Sequence, residues 1–376
     1  MNWELKKRLL LKDLPNIEKP TKGKIYWVHT PSVGEFVTVS PLLEEIKKRN
    51  HKLVITYFSP RAKEFMKKQS LPDLVYPLPL PVGFLLKKFL EWIKPDVFLL
   101  VESDRFPFLL RVEVEKKYIV NARLSDKSFR FLKSFAFIFK PALETFDLII
   151  CKDEETKEKF LSLGIEEKKL TVCGNLKVAG LTDGKNLKIT FPKGAKIFVA
   201  GSTHRGEEEI ILKAFKEVKK NIPNLILVLV PRHIERVEKE IKPLLEKEKL
   251  KYTLRSSLKE EPFKGDVLVV DTLGELKSFY KIADVAFVGG TLVPVGGHNL
   301  LEPAYFGKPT LFGPHTWKFV DLEKLLKEWG LGFPVKDERE LKETLLRLLE
   351  NPPQPKGDIK KVANQILDCY LEHILI

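Results

Sequence analysis

A glutamate follows the first strongly apolar run of the chain. Residues 29–36 read His-Thr-Pro-Ser-Val-Gly-Glu-Phe and join a predicted strand to a predicted helix. Gly34 permits close approach of the backbone to a ligand, and Glu35 stands at the helix N-terminus. A carboxylate in this position can act as a general base. The same spacing suits a carboxylate that only complements the helix dipole, so spacing alone leaves both interpretations open.

Two later strand-to-helix junctions carry groups that bind anions. Residues 201–207 read Gly-Ser-Thr-His-Arg-Gly-Glu, and their hydroxyls and backbone N–H groups can hold a phosphate. An ordinary helix N-cap at Ser202 or Thr203 explains the same residues. Arg232, in the triplet 231–233, leaves a predicted buried strand with a guanidinium that is always charged. A surface arginine at a turn is the alternative.

The clearest candidate for a ligand-binding site is a segment with two pairs of glycines. Residues 289–291 read Gly-Gly-Thr, and 296–303 read Gly-Gly-His-Asn-Leu-Leu-Glu-Pro. Glycines after a strand admit a phosphate to the backbone, the next helix offers N–H groups, and Glu302 can accept hydrogen bonds from ribose hydroxyls. The spacing matches neither the dinucleotide fingerprint nor a P-loop. Two plain turns are the alternative, but they leave Asn299 and Glu302 without a role.

The sequence predicts no metal site and no cofactor. It contains no Asp-x-Asp cluster and no group of His, Cys and carboxylate residues at the spacing of metal ligands. Phosphate charge would then be met by Arg232 and by helix N-termini, which favours a donor with a single phosphate.

Short apolar runs alternate with amphipathic stretches from end to end, which is typical of parallel strands joined by crossover helices. The fold class is therefore α/β, with two Rossmann-like doubly wound domains, and ligands are expected outside the carboxyl ends of the strands. Turn residues predict a boundary at 181–195. We expect an N-terminal domain over 1–180, a C-terminal domain over 196–350, and a last helix within 351–376 that returns to the N-terminal domain. The predicted strands are 24–29, 52–57, 96–101, 117–121, 148–151, 170–173, 197–200, 225–230, 267–270, 285–288 and 310–312, and two predicted helices are 36–49 and 84–93.

Composition describes a globular protein of 376 residues with a net charge of +14. No apolar run approaches the roughly 20 residues of a membrane-spanning helix. Three cysteines, Cys151, Cys173 and Cys369, are too few and too scattered to predict a disulfide framework or a metal site. Nothing like a cleavable signal opens the chain. We therefore expect the reducing cytosol.

The positive charge is unevenly distributed, with +13 in residues 1–200 and +1 in the remainder. Such an excess fits nucleic acid, an anionic membrane surface or an anionic substrate, and also a plain lysine-rich surface. The basic residues are dispersed and accompany no nucleic-acid recognition motif, so no nucleic-acid partner is expected.

Seven motifs in order resemble those of the 3-deoxy-D-manno-octulosonic acid (Kdo) transferases, which have the GT-B glycosyltransferase fold with an interdomain cleft. The resemblance runs over almost the whole chain. The motifs are Ser32–Glu35, Val101-Glu102 with Phe106-Pro107, Asn121–Ser125, Gly174–Lys177, Gly201–Thr203, Pro231–His233 and Gly296–Pro303.

The resemblance implies metal-independent, inverting transfer of Kdo from CMP-Kdo to the lipid A precursor, lipid IVA, during lipopolysaccharide synthesis. By resemblance, Glu35 is the catalytic base, Glu102 lies near the same site, and Ser32, Gly34 and Arg123 are on the acceptor side. The implied donor residues are Gly201, Ser202, Pro231, Arg232, Gly274, Glu275, Leu276, Asn299, Leu300, Leu301 and Glu302. A UDP-sugar enzyme of the same fold, either a lipid-linked glycosyltransferase or an epimerase, is the alternative, and a non-catalytic membrane-surface scaffold is a further one.

Two departures from the family concern the membrane and an aromatic residue. Many relatives begin with a hydrophobic anchor, whereas residues 1–10 are short and charged, and Phe106 stands where relatives usually have Trp. Membrane contact should then be peripheral, at the cytoplasmic face of the inner membrane. Residues 84–93 and 129–140 interleave aromatic and basic side chains, as interfacial helices do. Core helices with lysines at their edges are the alternative.

Overall fold

The structure is a computed structural model that describes Arg8 and residues 17–80, 82–102, 112–181, 183–184, 187, 189–258 and 263–375, with the side chain of Asp321 excepted. The described chain forms two compact units, one of residues 1–180 and 362–376, the other of residues 181–361. The motif residues Phe106 and Pro107 lie outside the described residues, as do residues 1–10 apart from Arg8.

The first unit contains a seven-stranded parallel sheet with the order β3-β2-β1-β4-β5-β6-β7. Its strands are β1 Ile25–His29, β2 Lys52–Tyr57, β3 Leu74–Pro77, β4 Val97–Val101, β5 Lys116–Ala122, β6 Leu148–Cys151 and β7 Leu170–Val172. Six of the seven were predicted to within two residues at either end. The sequence prediction missed β3, a four-residue strand at the edge of the sheet.

Helices cover both faces of this sheet. They are Val33–Lys48, Pro60–Lys67, Gly83–Ile93, Asp126–Ser134, Ala136–Leu143, Glu154–Ser162 and Leu176–Ala179. Alternate strand residues such as Trp27 and Phe98 form one apolar cluster with Phe89 and Phe139 from the helices. Because alternate residues of a strand point to one face, the helices that carry Phe89 and Phe139 lie on the same face of the sheet.

The second unit repeats the architecture with the order β10-β11-β9-β8-β12-β13-β14, again parallel throughout. Its strands are β8 Lys196–Thr203, β9 Leu225–Pro231, β10 Tyr252–Leu254, β11 Val267–Val269, β12 Val285–Val288, β13 Thr310–Phe312 and β14 Gly332–Pro334. Its α-helices are Glu207–Asn221, Lys242–Lys247, Leu276–Ile282, Leu301–Ala304, Val320–Glu328 and Glu338–Glu350. The prediction missed β10 and β14, which are three residues long and form the two edges.

Each sheet reverses its strand order once, and the reversal marks where ligands bind in such folds. In the first sheet β1 lies between β2 and β4, so the loops after β1 and β4 diverge. In the second sheet β8 lies between β9 and β12, so the loops after β8 and β12 diverge. The glutamate of the first motif and the first glycine pair thus follow strands at these two reversal points.

The last helix, Ile359–Ile374, packs on the first unit through its C-terminal half. Tyr370 Oη donates a hydrogen bond to the carbonyl of Gly174 at 3.0 Å. Cys369 forms a disulfide with Cys173, 196 residues earlier in the chain. The prediction that the cysteines are too scattered for a disulfide is wrong for this pair, because the returning helix brings together residues that are distant in sequence. The cysteine count therefore gives no support to a reducing compartment.

The two aromatic and basic segments form helices that are buried on one side only. Phe84 is 70% exposed and Phe137 is 76% exposed, whereas Phe139 is 8% exposed and belongs to the core. The neighbouring Lys87 and Lys133 are exposed. Each segment therefore contributes core residues and also an exposed aromatic and basic surface, and contact of that surface with a membrane stays a prediction. Among the described residues, no helix combines the length and the apolar composition that crossing a membrane requires.

Candidate active site

Glu35 lies in the first turn of the helix Val33–Lys48, just beyond β1. Ser32 is the N-cap, and its hydroxyl accepts a hydrogen bond from the N–H of Gly34 at 3.2 Å and donates one to the Glu35 carboxylate. The arrangement resembles a capping box, so the carboxylate also contributes to the helix terminus. Glu35 is half-buried and Gly34 is exposed. The carboxylate is therefore held in place beside an open glycine.

Glu102 lies beside this site because β4 is the neighbour of β1, with His29 opposite Leu100. Its side chain is only 12% exposed. Glu102 Oε1 accepts a hydrogen bond from Asn121 Nδ2 at 2.7 Å and lies 3.9 Å from Lys177 Nζ. The buried carboxylate thus has both a hydrogen-bond donor and a positive partner.

The backbone that carries Glu102 is strained. Glu102 has φ of 53° and Asn121 has φ of 52°, which is the left-handed region that residues other than glycine rarely adopt. Asn121 is buried, and its Oδ1 accepts a hydrogen bond from the N–H of Leu176 at 2.9 Å. One asparagine therefore joins the ends of β4 and β5 to the Gly174–Lys177 segment. Strain of this kind clusters at functional sites.

Arg123 follows β5 immediately, and its side chain is exposed. Because β1, β4 and β5 are neighbours in the sheet, the structure brings Ser32, Glu35, Glu102 and Arg123 to one edge. All the residues predicted for the acceptor side thus follow adjacent strands.

In the second unit, Gly201 and Ser202 lie at an irregularity at the end of β8. The register between β8 and β9 shifts between Gly201 and Thr203, and Ser202 has φ of 55°, so Ser202 is the extra residue of a bulge. A side chain at Gly201 would collide with the hydroxyl of Tyr280 and with Leu276. This glycine is therefore required by close packing.

The backbone N–H groups at the first glycine pair are not available to a phosphate. The prediction of a phosphate site at Gly289–Thr291 is therefore wrong. The buried carboxylate of Glu207 accepts hydrogen bonds from the N–H groups of Gly290 at 2.7 Å, Thr291 at 3.0 Å and Leu292 at 2.9 Å. Burial raises the pKa of Glu207, and these hydrogen bonds oppose that shift. The chain's own carboxylate thus occupies the place expected for a phosphate.

Two histidines pack on the same glycine pair. The rings of His204 and His298 are nearly parallel with centroids 5.1 Å apart, and they meet through their Nε2 atoms, which are 2.8 Å apart. A Cβ at Gly290 would lie 3.3 Å from His298 Cδ2 and 3.4 Å from His204 Cδ2. His233 packs edge-on against His204. The exposed Arg232 follows Pro231, the last residue of β9. Burial is the main cause that lowers the pKa of both His204 and His298, and the charge of Arg232 adds to it.

The second glycine pair begins the segment expected to hold CMP. Gly296 and Gly297 have φ of 98° and 84°, and a side chain at Gly296 would collide with Trp317 and Lys318. Asn299 Oδ1 accepts a hydrogen bond from the N–H of Leu301 at 3.2 Å. The helix Leu301–Ala304 has only four residues. Its dipole is therefore smaller than that of the longer helix expected to bind the phosphate.

The remaining residues of this segment differ in accessibility. The side chains of Leu300 and Leu301 are fully buried, so only their backbone can touch a donor. Burial raises the pKa of Glu302, and the charge of Lys277 opposes that shift.

Gly274–Leu276 follow β11, which neighbours β9. Gly274 is exposed with φ of 84°. The Glu275 carboxylate accepts hydrogen bonds from Arg255 Nη2 at 2.9 Å and from the hydroxyl of Thr272. All the predicted donor segments therefore follow the strands β11, β9, β8 and β12, which are contiguous in the sheet.

Sequence reasoning did not assign roles to Asn121, Glu207 and the histidine pair. Each of these residues stood within or beside a quoted motif, and His204 and His298 accompany the glycines on which they pack. The sequence feature that could have identified these residues is the position of polar side chains directly after strands.

Within the described stretches, one group of three potential metal ligands occurs, formed by Cys173, Cys369 and His373. Two of its members are joined by the disulfide.

Two parallel doubly wound units, with polar residues gathered at the reversal points, are the architecture of the GT-B fold class. A family model described as "3-Deoxy-D-manno-octulosonic-acid transferase (kdotransferase)" matches residues 4–179, and one described as "Glycosyl transferases group 1" matches residues 196–365. The chain is 42% identical over 375 residues to the 3-deoxy-D-manno-octulosonic acid transferase of Aquifex aeolicus, covering 100% of this chain and 98% of that protein. It is 31% identical to the enzyme of the same name from Haemophilus influenzae, covering 91% of this chain and 82% of that protein. The chain belongs to the 3-deoxy-D-manno-octulosonic acid transferase family, which confirms the resemblance and the prediction of an enzyme.

Solved structures confirm the fold. The UDP-GlcNAc 2-epimerase of Neisseria meningitidis bound to UDP-GlcNAc superposes with a TM-score of 0.60 at 16% identity, covering 94% of this chain and 99% of that chain. At this identity the likeness concerns the fold alone.

Proposed function

We propose that this enzyme transfers Kdo from CMP-Kdo to lipid IVA in lipopolysaccharide synthesis. Membership of the family supports the transferred sugar. The observation that carries the proposal is the pair of carboxylates at the first reversal point, where Glu35 follows β1 and Glu102 follows the adjacent β4. Because β1 and β4 are adjacent and parallel, both carboxylates lie at the same end of the sheet, where one reacting centre can use them.

Glu35 acts as the general base. Its carboxylate takes the proton of an acceptor hydroxyl as the hydroxyl oxygen forms a bond to the anomeric carbon of Kdo. The bond from that carbon to the phosphate oxygen breaks, and CMP leaves with the electron pair. Attack from the face opposite the leaving group inverts the anomeric centre. The hydrogen bond from Ser32 orients the carboxylate, and exposed Gly34 leaves the backbone accessible to the acceptor.

Glu102 contributes through its negative charge. Positive charge develops on the anomeric carbon as the leaving group departs, and a fixed carboxylate stabilises that charge. Asn121 and Lys177 hold Glu102 in place. Preorganisation of this kind avoids reorientation during the reaction.

The donor phosphate is bound without a metal ion. Arg232 is exposed at the end of β9, next to the bulge at Ser202 on β8. A guanidinium can form two parallel hydrogen bonds to a phosphate group. Because Glu207 fills the first glycine pair, the donor phosphate contacts Arg232 and the backbone near Asn299 instead.

The acceptor is approached from an anionic membrane surface at the cytoplasmic face of the inner membrane. Phe84 and Phe137 are highly exposed, and Lys87 and Lys133 are exposed beside them. Basic residues attract anionic lipid, and aromatic side chains enter the interface. The exposed Arg123 provides a positive charge for an anionic acceptor on the same unit.

Mass spectrometry of the lipid product tests the whole proposal. Purified enzyme incubated with CMP-Kdo and lipid IVA should yield lipid IVA increased by at least one Kdo residue. CMP, but not UDP, should raise the melting temperature of the enzyme. Stabilisation by UDP together with an unmodified lipid would instead favour the UDP-sugar alternative.

A further inference from the structure

His204 and His298 form a pair that shares a proton. Their rings are nearly parallel, with an interplanar angle of 10°, and their Nε2 atoms are 2.8 Å apart. Two ring nitrogens at this distance are joined by one N–H, which one ring donates and the other accepts. The Nε2 atoms are thus committed to each other, and the Nδ1 atoms are left for other partners.

Several cations and two carboxylates lie around the pair, and one of the carboxylates, Glu207, accepts a hydrogen bond from the backbone N–H of His204 at 2.9 Å. Arg232, His233 and Lys318 lower the pKa of His298, whereas Arg236, His233 and Arg232 lower that of His204 and Glu208 raises it. Glu208 is itself paired with Arg236 at 2.9 Å. Burial is the largest cause of the shift, and together with these charges it lowers the pKa of His298 to about 4.

The proton count of the pair follows from this geometry. With both rings neutral, one proton bridges the Nε2 atoms, so one Nδ1 atom carries a proton and the other does not. One further proton converts both Nδ1 atoms into donors and gives the pair a positive charge. The surrounding cations oppose that proton while the site is empty. An anion placed among them would reverse the balance.

We propose that His204, His298 and Arg232 form an oxyanion site that takes up a proton from solvent when the anionic part of a cytidine monophosphate sugar binds. This inference rests on the proposed function. The oxyanion is either the phosphate or the carboxylate of the sugar, and both are recognised by the same set of donors. The proton bonds to the ring nitrogen that lacked one, so the empty site carries one proton fewer than the occupied site.

Calorimetry of ligand binding measures the proton directly. Binding heats are determined between pH 5.5 and 7.5 in two buffers with different ionisation enthalpies, and the difference gives the number of protons taken up. CMP-Kdo, CMP and cytidine are compared with the full-length enzyme. CMP-Kdo is the cleaner ligand because a phosphate monoester itself titrates near pH 6. We expect uptake of a substantial fraction of one proton with CMP-Kdo and none with cytidine.

Two variants assign the proton to the pair. His298→Gln and His204→Gln each remove one titrating ring and the N–H that bridges the two Nε2 atoms, so each should lower the uptake below the wild-type value while circular dichroism stays unchanged. The double variant has no titrating ring in the pair and should abolish the uptake. His51→Gln, in the other unit, is the matched control and should leave the uptake unchanged. Wild-type minus variant differences also cancel the titration of CMP itself. If one variant fails to fold, the other variant and the wild-type measurement still show whether the pair takes up the proton.

The outcomes are distinguishable. Uptake with both CMP and CMP-Kdo assigns the site to the phosphate, and uptake with CMP-Kdo alone assigns it to the sugar carboxylate; each supports the inference. Binding of CMP-Kdo without proton uptake overturns the inference and leaves the proposed function standing. Uptake that stays at the wild-type value in the histidine variants has the same meaning. If neither nucleotide binds, the proposed function fails and the inference fails with it.

Discussion

The single residue on which the proposed chemistry depends most is Glu35. Its carboxylate takes part in the helix cap with Ser32, so its structural role is shown, and its role as a general base is the prediction to be tested. A substitution that keeps the shape of the side chain can separate them.

Glu35→Gln should retain the fold and donor affinity while lowering turnover about 10²- to 10⁴-fold, the usual contribution of a general base. The amide can still accept a hydrogen bond from Ser32, so the helix cap persists. Turnover at saturating CMP-Kdo and acceptor is the measurement, with the melting temperature as the control. A near wild-type rate would assign Glu35 to the cap alone.

Arg232→Ala should weaken CMP-Kdo binding and leave the stability almost unchanged, because the side chain is exposed. Hydrogen bonds to charged groups contribute about 1.5 to 3 kcal/mol, so we expect a rise of roughly 10- to 100-fold in the dissociation constant. The exposed Arg339 lies more than 100 residues further along the chain, in the helix Glu338–Glu350, and Arg339→Ala serves as the control. Equal donor affinity in both variants would make Arg232 a surface residue at a turn.

His29 makes the stability of the first unit depend on pH. It is fully buried beside Thr56, and burial lowers its pKa to about 3. The unfolded chain, with a histidine pKa near 6.5, binds the proton more readily. This contribution to stability is therefore complete above about pH 6.5 and is lost as the pH falls towards 3.

Urea unfolding of wild type and His29→Gln between pH 7 and 4 checks this prediction. The free energy of unfolding of the wild type should fall faster, by about 1.4 kcal/mol per pH unit from this group. Carboxylates contribute equally to both proteins and cancel in the comparison. Parallel curves would contradict a neutral, buried histidine.

At the scale of elements, the strands that sequence analysis missed share one position. β3, β10 and β14 all lie at sheet edges. Edge strands are buried less completely, so they lack the continuous apolar run that identifies interior strands of a parallel sheet. β14 is only Gly-Phe-Pro, a run that no pattern distinguishes from a turn.

Substitutions in the helix that carries Phe137 and Phe139 should affect membrane binding and stability separately. Phe137→Ser removes an exposed ring and should reduce co-sedimentation with anionic vesicles, with a change in stability within about 0.5 kcal/mol. Phe139→Ser removes a core ring and should lower the free energy of unfolding by about 3 to 5 kcal/mol. The two residues are neighbours on one helix, so each is a control for the other.

Salt should weaken but not abolish vesicle binding of the wild-type enzyme, because the aromatic contribution is not screened. Unchanged binding by Phe137→Ser would remove this surface from the proposal. The combined replacement of Phe135, Phe137 and Phe139 is unsuitable as a test, since the burial of Phe139 predicts unfolding.

For the whole molecule, we expect catalysis to survive metal removal. Activity with CMP-Kdo and lipid IVA should be unchanged in excess EDTA, because Arg232 supplies the positive charge at the donor phosphate. Assays before and after dialysis against the chelator check this. Activity that is lost and then restored by Mg²⁺ would show that a cation takes part.

The sequence alone determined the alternation of strands and helices and the position of polar motifs after strands. These features are local, because the period of the apolar pattern and the residues at strand ends are read from short windows. It also determined the family, since seven motifs in order span both halves. The association of Glu102 and Arg123 with Glu35 came from the resemblance to the family, and the strand order of the first sheet supplies its physical reason, because β1, β4 and β5 are adjacent.

Only the tertiary structure decided which groups fill the space around the motifs. Glu207 occupies the N–H groups of the first glycine pair, and His204 and His298 cover Gly290. Glu207 is 83 residues from Gly290, and His204 is 94 residues from His298, so no local pattern predicts these two contacts. The pairing of Cys173 with Cys369 and the burial of Phe139 beside exposed Phe137 have the same cause. Contacts between distant segments depend on how the elements pack, which the period of the sequence does not specify.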